Sequence, residues 1–285
     1  MFDIVVYDAS RARAQRVVTE ALEEVLRLEA VMSHFRPDSD LTMLNRRAGG
    51  DPVTVDASLH EVIRASLAVS RRSGGRFDVT IAPLLRVWKR AAANATRPSA
   101  DEIAEARRCV GYEKIEIEDR NRVRLRARCV EIDLGGIGKG YAVDRAFAIL
   151  SAAGIRHAMI NAGGSSMMAA GAPPNRNGWP VVLGRSILLL SGNSLSTSQQ
   201  DPAAPPGDIV DPLRGAPVDS RMAVGVIAPS ATVADALSTT LVMLPVEEGR
   251  QLVAQFPDVS AVWISPAGGV HAACGESRLN LVQRY

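Results

Sequence analysis

Phe2, Ile4 and Val6 fall on one face at a period of two over Phe2–Tyr7, which predicts a strand. From Arg11 the period changes. Val18, Leu22, Val25 and Leu26 fall on one helical face and predict a helix over Arg11–Met32. Pro37-Asp38-Ser39-Asp40 reads as a turn, with a short helix at 41–45. Leu59, Val62, Ile63 and Leu67 mark a second amphipathic helix ending near Gly74-Gly75. Ser99 caps a third, Ala100–Cys109, because Glu102 three residues on completes a capping box. Residues 114–117 and 123–132 read as paired strands, 142–153 as a helix closed by Gly154, and 157–161 as a strand running into Ala162-Gly163-Gly164. Short apolar strands follow at Trp179–Leu183 and 187–190, then a Pro-rich surface segment at 202–207. A strand at 222–227, helices at 231–244 and 246–256 and a strand at 261–264 complete the pattern. Strands and helices interleave without an internal repeat, so the expected class is α+β, of mixed α/β type, in one domain over residues 1–285.

Composition narrows the partners. The chain has 285 residues, 47% hydrophobic and 22% charged, as in an ordinary soluble globular protein. A net charge of +2 gives no argument for nucleic acid or an anionic membrane. No run of about twenty apolar residues predicts a transmembrane segment. The first ten residues carry Asp3 and Asp8 and no cationic stretch, so no signal peptide is expected. Cys109, Cys129 and Cys274 are widely spaced and odd in number, which argues against a disulfide framework and for three small core residues in a reducing, cytoplasmic setting. His34, His60, His157 and His271 share no metal spacing.

The candidate chemistry starts at Asp133-Leu134-Gly135-Gly136-Ile137-Gly138-Lys139-Gly140-Tyr141. Four glycines in six positions leave bare backbone that can approach an anion, with Lys139 supplying positive charge and Asp133 a carboxylate. A P-loop requires Ser or Thr after the Gly-Lys pair, and Gly140 stands there. A dinucleotide fingerprint requires a carboxylate about twenty residues on, but after Asp144 none occurs until Asp201. A ligand-free glycine turn stays open as an alternative. Downstream, Asp235 and Thr239 are i and i+4 on a predicted helix, so their oxygens share a face suited to magnesium. On spacing alone the simpler reading is a carboxylate complementing the helix dipole, with Thr239 bonding back to a carbonyl. Asp78 and Thr80, Asn161 with Gly163 and Gly164, Ser196-Thr197-Ser198, and Asp211 to Gly215 each read, taken singly, as turns or caps.

Taken in order, these blocks carry a resemblance. Met32-Ser33, Ser39-Asp40-Leu41, Leu44-Asn45, Gly75 to Thr80, Asp133 to Asp144, Asn161 to Gly164, Ser196 to Ser198, Asp211 to Gly215 and Ala234 to Thr239 together resemble the ApbE family of FAD:protein FMN transferases. The resemblance implies a T-fold-related architecture that binds FAD with magnesium at the pyrophosphate. It implies transfer of FMN to a Thr or Ser hydroxyl of an acceptor protein with release of AMP. Hydrolysis of FAD to FMN and AMP, or flavin binding without catalysis, are the alternatives it leaves. By match, Asp235, Thr239 and the main-chain oxygen of Gly136 hold magnesium. Met32, Arg76, Phe77, Asp78, Asp133, Gly135, Lys139, Asn161, Gly163, Gly164 and Thr197 bind FAD, and Lys139 and Asp208 are the catalytic pair. Members are often periplasmic and lipid-anchored. Asp208 stands where the family usually has a His, and Gln199 where it usually has a Gly.

Overall fold

A computed structural model describes residues 1–200, 208–275 and 281–283. The Pro-rich segment at 202–207 lies outside the described residues. In chain order come β1 (Phe2–Tyr7), α1 (Arg11–Met32), α2 (Asp40–Arg46), β2 (Val53–Thr54), α3 (Ala57–Arg72), α4 (Ala82–Ala93) and α5 (Ala100–Cys109). Next are β3 (Ile115–Glu118), β4 (Arg122–Leu125), α6 (Gly138–Ala152), β5 (His157–Ala162), β6 (Ser166–Ala170), β7 (Trp179–Leu183), β8 (Ser186–Leu190) and β9 (Asn193–Ser198). The chain ends with β10 (Val210–Asp211), β11 (Ala216–Pro217), β12 (Ala223–Ala228), α7 (Ala231–Leu241), α8 (Val246–Val253), β13 (Ser260–Ile264), β14 (Val270–Cys274) and β15 (Leu281–Gln283). Every strand pair among the described residues is antiparallel, which makes the fold α+β rather than doubly wound.

The chain forms two compact units. The first comprises Met1–Arg27, Ile137–Gln199 and Arg221–Tyr285. Its frame is a seven-stranded sheet in the order β1-β5-β6-β9-β12-β13-β14, joined by a smaller sheet β15-β8-β7. Two apolar cores cover it. Val17 and Ala21 of α1 and Val143, Ala146, Phe147 and Leu150 of α6 pack with Ala158 and Ile160 of β5. Trp179, Leu183 and Leu188 pack with Leu195, Ile227 and Val262. These side chains are almost fully withdrawn from water, so burial of this surface is the main term holding α6 to the sheet.

The second unit comprises Leu28–Gly136 and Gln200–Ser220. It holds α2 to α5, the sheet β2-β4-β3 and the hairpin β10-β11. Asp56 caps α3 and Ser99 caps α5 with the complete capping box expected from sequence. Leu84, Ala106 and Val210 form a small core with Trp88 and Ile103 around it.

Four expectations are corrected. The strand expected over 123–132 ends at Leu125, after which Val130 N–H closes a turn on Ala127 O and the Asn45 amide clamps Ile132 through both of its main-chain groups. Cys109 and Cys129 are not separate core residues but a disulfide, with Cα atoms 5.3 Å apart, and Cys274 is a free thiol. The helix expected from 142 begins at Gly138, so Gly138, Lys139 and Gly140 belong to its first turn. Helix α4 was not among the expected elements; Pro83 lies in its first turn, where the missing N–H costs nothing.

Candidate active site

In the first unit the site is built where α6 meets α7. Asp144, on α6, accepts hydrogen bonds from Ala231 N at 2.7 Å, Thr232 N at 2.9 Å, Thr232 Oγ1 at 2.6 Å and Ser230 Oγ at 2.7 Å. A carboxylate thus satisfies the orphan donors at the α7 N-terminus and fixes where that helix starts. One turn on, Asp235 is 3% exposed and its Oδ2 accepts the Gly140 N–H at 2.8 Å. Burial raises the Asp235 carboxyl above the usual range; the Gly140 N–H, the Lys139 charge and the Ser166 hydroxyl pull it back, and Asp144 adds to the rise. Among the described residues Asp235 has no ion-pair partner within 4 Å.

Gly140 has a steric reason to be glycine. A Cβ there would lie 2.1 Å from Ala231 O and 2.7 Å from Asp235 Cβ. Thr239 follows Asp235 by one turn, half-buried, with Ser198 Oγ 3.4 Å from its hydroxyl and 2.8 Å from that of Ser238. At the front of α6, the Lys139 ammonium reaches Ser165 Oγ at 2.5 Å. Ser165 follows the turn of the β5–β6 hairpin, in which Gly163 and Gly164 have φ of +61° and +75° and Asn161 Oδ1 accepts Gly164 N–H at 2.9 Å. Thr197 N–H donates to Ser165 O at 2.7 Å, tying β9 to that loop.

In the second unit, Asp78 caps the short turn Val79–Ile81. Its Oδ1 accepts Thr80 N–H at 2.8 Å and the Thr80 hydroxyl at 2.6 Å, and its Oδ2 accepts Tyr112 N–H at 2.8 Å. Burial raises this carboxyl against the pull of those donors. Phe77 and Met32 are buried. Arg76 lies 3.6 Å from Asp211, whose other oxygen accepts Leu213 and Arg214 N–H groups in the β10–β11 turn. Asp133 donates its N–H to Val79 O at 2.7 Å and accepts Gly135 N–H at 2.7 Å; its second oxygen lies 3.7 Å from His34 Nδ1. Asp208 is exposed, with no hydrogen bond or ion pair among the described residues. A cavity of about 380 Å³ in this unit is lined by Arg86, Arg90, Glu102 and Glu131 beside the disulfide, and none of the expected site residues lines it.

Within the first unit, therefore, Lys139, Asp235 and Thr239 come together, as do Asn161, Gly163, Gly164 and Thr197 around Ser165. Within the second, Asp133 joins Gly135, and Asp78 serves as a brace with Arg76 beside Asp211. Sequence reading left Asp144, Ser165, Ser166 and Ser198 without roles; Asp144 and Ser198 lie inside quoted blocks, whereas Ser165 and Ser166 carry no spacing signal. Among the described residues no group of three or more His, Cys, Asp or Glu side chains could hold a metal. A cation here would rest on one carboxylate with hydroxyl and main-chain oxygens, a donor set that fits magnesium.

On this antiparallel α+β scaffold the first unit sets a buried carboxylate, Asp235, and hydroxyl side chains near the Lys139 ammonium. The family model of the ApbE family matches residues 1–263. The FAD:protein FMN transferase of Treponema pallidum (strain Nichols) is 28% identical over 292 residues, covering 90% of this chain and 80% of the relative. That of Vibrio cholerae is 29% identical over 258 residues, covering 82% and 74%. Among solved structures, the apo flavinyl transferase ApbE of Pseudomonas stutzeri superposes with a TM-score of 0.86 at 25% identity, covering 98% of this chain and 94% of that one. The ApbE protein of Thermotoga maritima gives 0.82 at 28%, covering 95% and 92%. The chain belongs to the ApbE family.

Proposed function

We propose that the chain is a magnesium-dependent FAD:protein FMN transferase, which moves FMN from FAD to a Thr or Ser hydroxyl of an acceptor protein and releases AMP. The observation that carries this reading is Asp235: a buried carboxylate with no ion-pair partner within 4 Å among the described residues, anchored on the Gly140 N–H, in a family whose named relatives are FMN transferases. Both units serve the one activity, and the family model's span across them supports this.

In this reading Asp235, Thr239 and the Gly136 carbonyl hold the ion. Magnesium, when bound, supplies charge neutralisation at the diphosphate. Met32, Arg76, Phe77, Asp78, Asp133, Gly135, Asn161, Gly163, Gly164 and Thr197 orient FAD. The acceptor oxygen forms a bond to the FMN phosphorus as the bond to the AMP oxygen breaks. Lys139 stabilises the charge that grows on the departing AMP, and Asp208 takes the hydroxyl proton. Little covalent work falls to the protein, which acts mainly by positioning and electrostatics.

The test is incubation with FAD, magnesium and an acceptor bearing a flavinylation Thr or Ser, read by mass spectrometry. A covalent FMN on the acceptor is expected. An unlabelled acceptor, where a proven transferase labels it, overturns transfer; AMP release without labelling would then mark hydrolysis. Asp208, in place of the family's usual His, favours one second reading, a non-catalytic flavin binder, which gains if Asp208→His creates turnover that the natural chain lacks.

No helix among the described residues is long and apolar enough to cross a membrane. The disulfide supports work in an oxidising compartment and weighs against the reducing cytoplasm expected from cysteine spacing.

A further inference from the structure

The chain has 33 cationic Lys and Arg residues, and three of them, Lys89, Lys114 and Lys139, are lysines. At position 139 a compact ammonium replaces the guanidinium used almost everywhere else, a group that needs an external acceptor to fix its direction. Among the described residues Lys139 has no ion pair within 4 Å; its hydrogen-bond partner is Ser165 Oγ at 2.5 Å. Ser165 is itself held. Its N–H meets Ala162 O at 3.3 Å, its carbonyl accepts Thr197 N–H at 2.7 Å, and its hydroxyl donates to Ala162 O at 3.5 Å. With the hydroxyl proton directed at Ala162 O, the free lone pairs of Oγ face the ammonium. Two glycines at positive φ shape the turn that presents it.

We propose that Ser165 is a positioning residue for Lys139, a neutral acceptor that aims the ammonium without forming an ion pair with it, so that its charge stays available to the diphosphate of FAD. The inference rests on the flavin reading above. A carboxylate at 165 would fix the lysine as well but would cancel its charge. An apolar side chain would leave the charge intact and the direction free.

Three variants separate these effects. FAD affinity is measured by flavin fluorescence in the presence of magnesium at low and high salt. Ser165→Ala should weaken FAD binding about tenfold, the scale of one hydrogen bond to a charged group. Ser165→Thr should stay within about twofold, since the hydroxyl is kept. Ser165→Asp should bind more weakly than Ser165→Ala, with the gap closing as salt is raised. A second readout needs no flavin. Competitive acetylation of the free protein, read by mass spectrometry with Lys89 as internal reference, should label Lys139 several times faster in Ser165→Ala than in the natural chain or Ser165→Thr. Ala and Asp variants that bind FAD like the natural chain, or unchanged Lys139 labelling in Ser165→Ala, would overturn the role. If the natural chain binds no FAD, the flavin reading itself fails, and the labelling result shows whether the Ser165–Lys139 contact holds without it.

Discussion

Asp235 holds its carboxylate against one main-chain N–H and one serine hydroxyl, while burial disfavours its charge. Such a group gains most from a cation, because attraction is strong where water is excluded. Asp235→Asn keeps an oxygen for the Gly140 N–H and removes the charge, so the fold should survive while magnesium affinity, measured by calorimetry, falls by more than about tenfold. Unchanged affinity would show that the ion, if any, lies elsewhere. At this scale the sequence was half legible. Asp235 and Thr239 share a helix face by i, i+4 spacing, but it is the resemblance, not the spacing, that singles them out as a site. The roles of Ser165 and Asp144 do not show, because their partners lie 26 residues and 86 to 88 residues away, and no local pattern encodes such contacts.

At the scale of elements, α3 and α5 follow from apolar periodicity and caps, because local propensity and burial agree there. Helix α1 has the expected extent but buries Val17, Ala21 and Leu28 and leaves Leu26 of the expected face exposed. The start of α6 does not follow, because glycines lower helix propensity and so mimic a loop. At position 140 glycine is dictated by the neighbour: α7 passes so close that there is no room for a Cβ. The 123–132 stretch misleads in the opposite way. Val130 and Ile132 are buried like strand residues, but the disulfide and the Asn45 clamp turn the backbone after Leu125. Gly140→Ala, normally favourable inside a helix, should here cost more than about 3 kcal/mol in denaturant unfolding, since the two nearest atoms it meets are the main-chain oxygen and carbon of Ala231. A neutral or stabilising effect would mean that the two helices cross further apart.

For the whole molecule, the disulfide is a covalent cross-link that constrains the unfolded chain. It links Cys109, at the end of α5, to Cys129, 20 residues on, in the segment that leads to Asp133. Loop closure of that length stabilises by about 3 kcal/mol. Reduction with a phosphine, or the double change C109S/C129S, should therefore lower the thermal midpoint by roughly 6–12 °C. Calorimetry checks this, and a reductant-insensitive midpoint with both thiols demonstrably free would refute it.

The two units also differ in how the chain is threaded. The second takes Leu28–Gly136 as one continuous run, whereas the first gathers three separate stretches, the last beginning at Arg221. During synthesis, β1 leaves the ribosome long before β5, and β12 and β13 follow later still. At about 5–20 residues per second that wait is on the order of 10 s. The nascent chain therefore carries β1, apolar except for Asp3, without its one sheet neighbour for that whole interval.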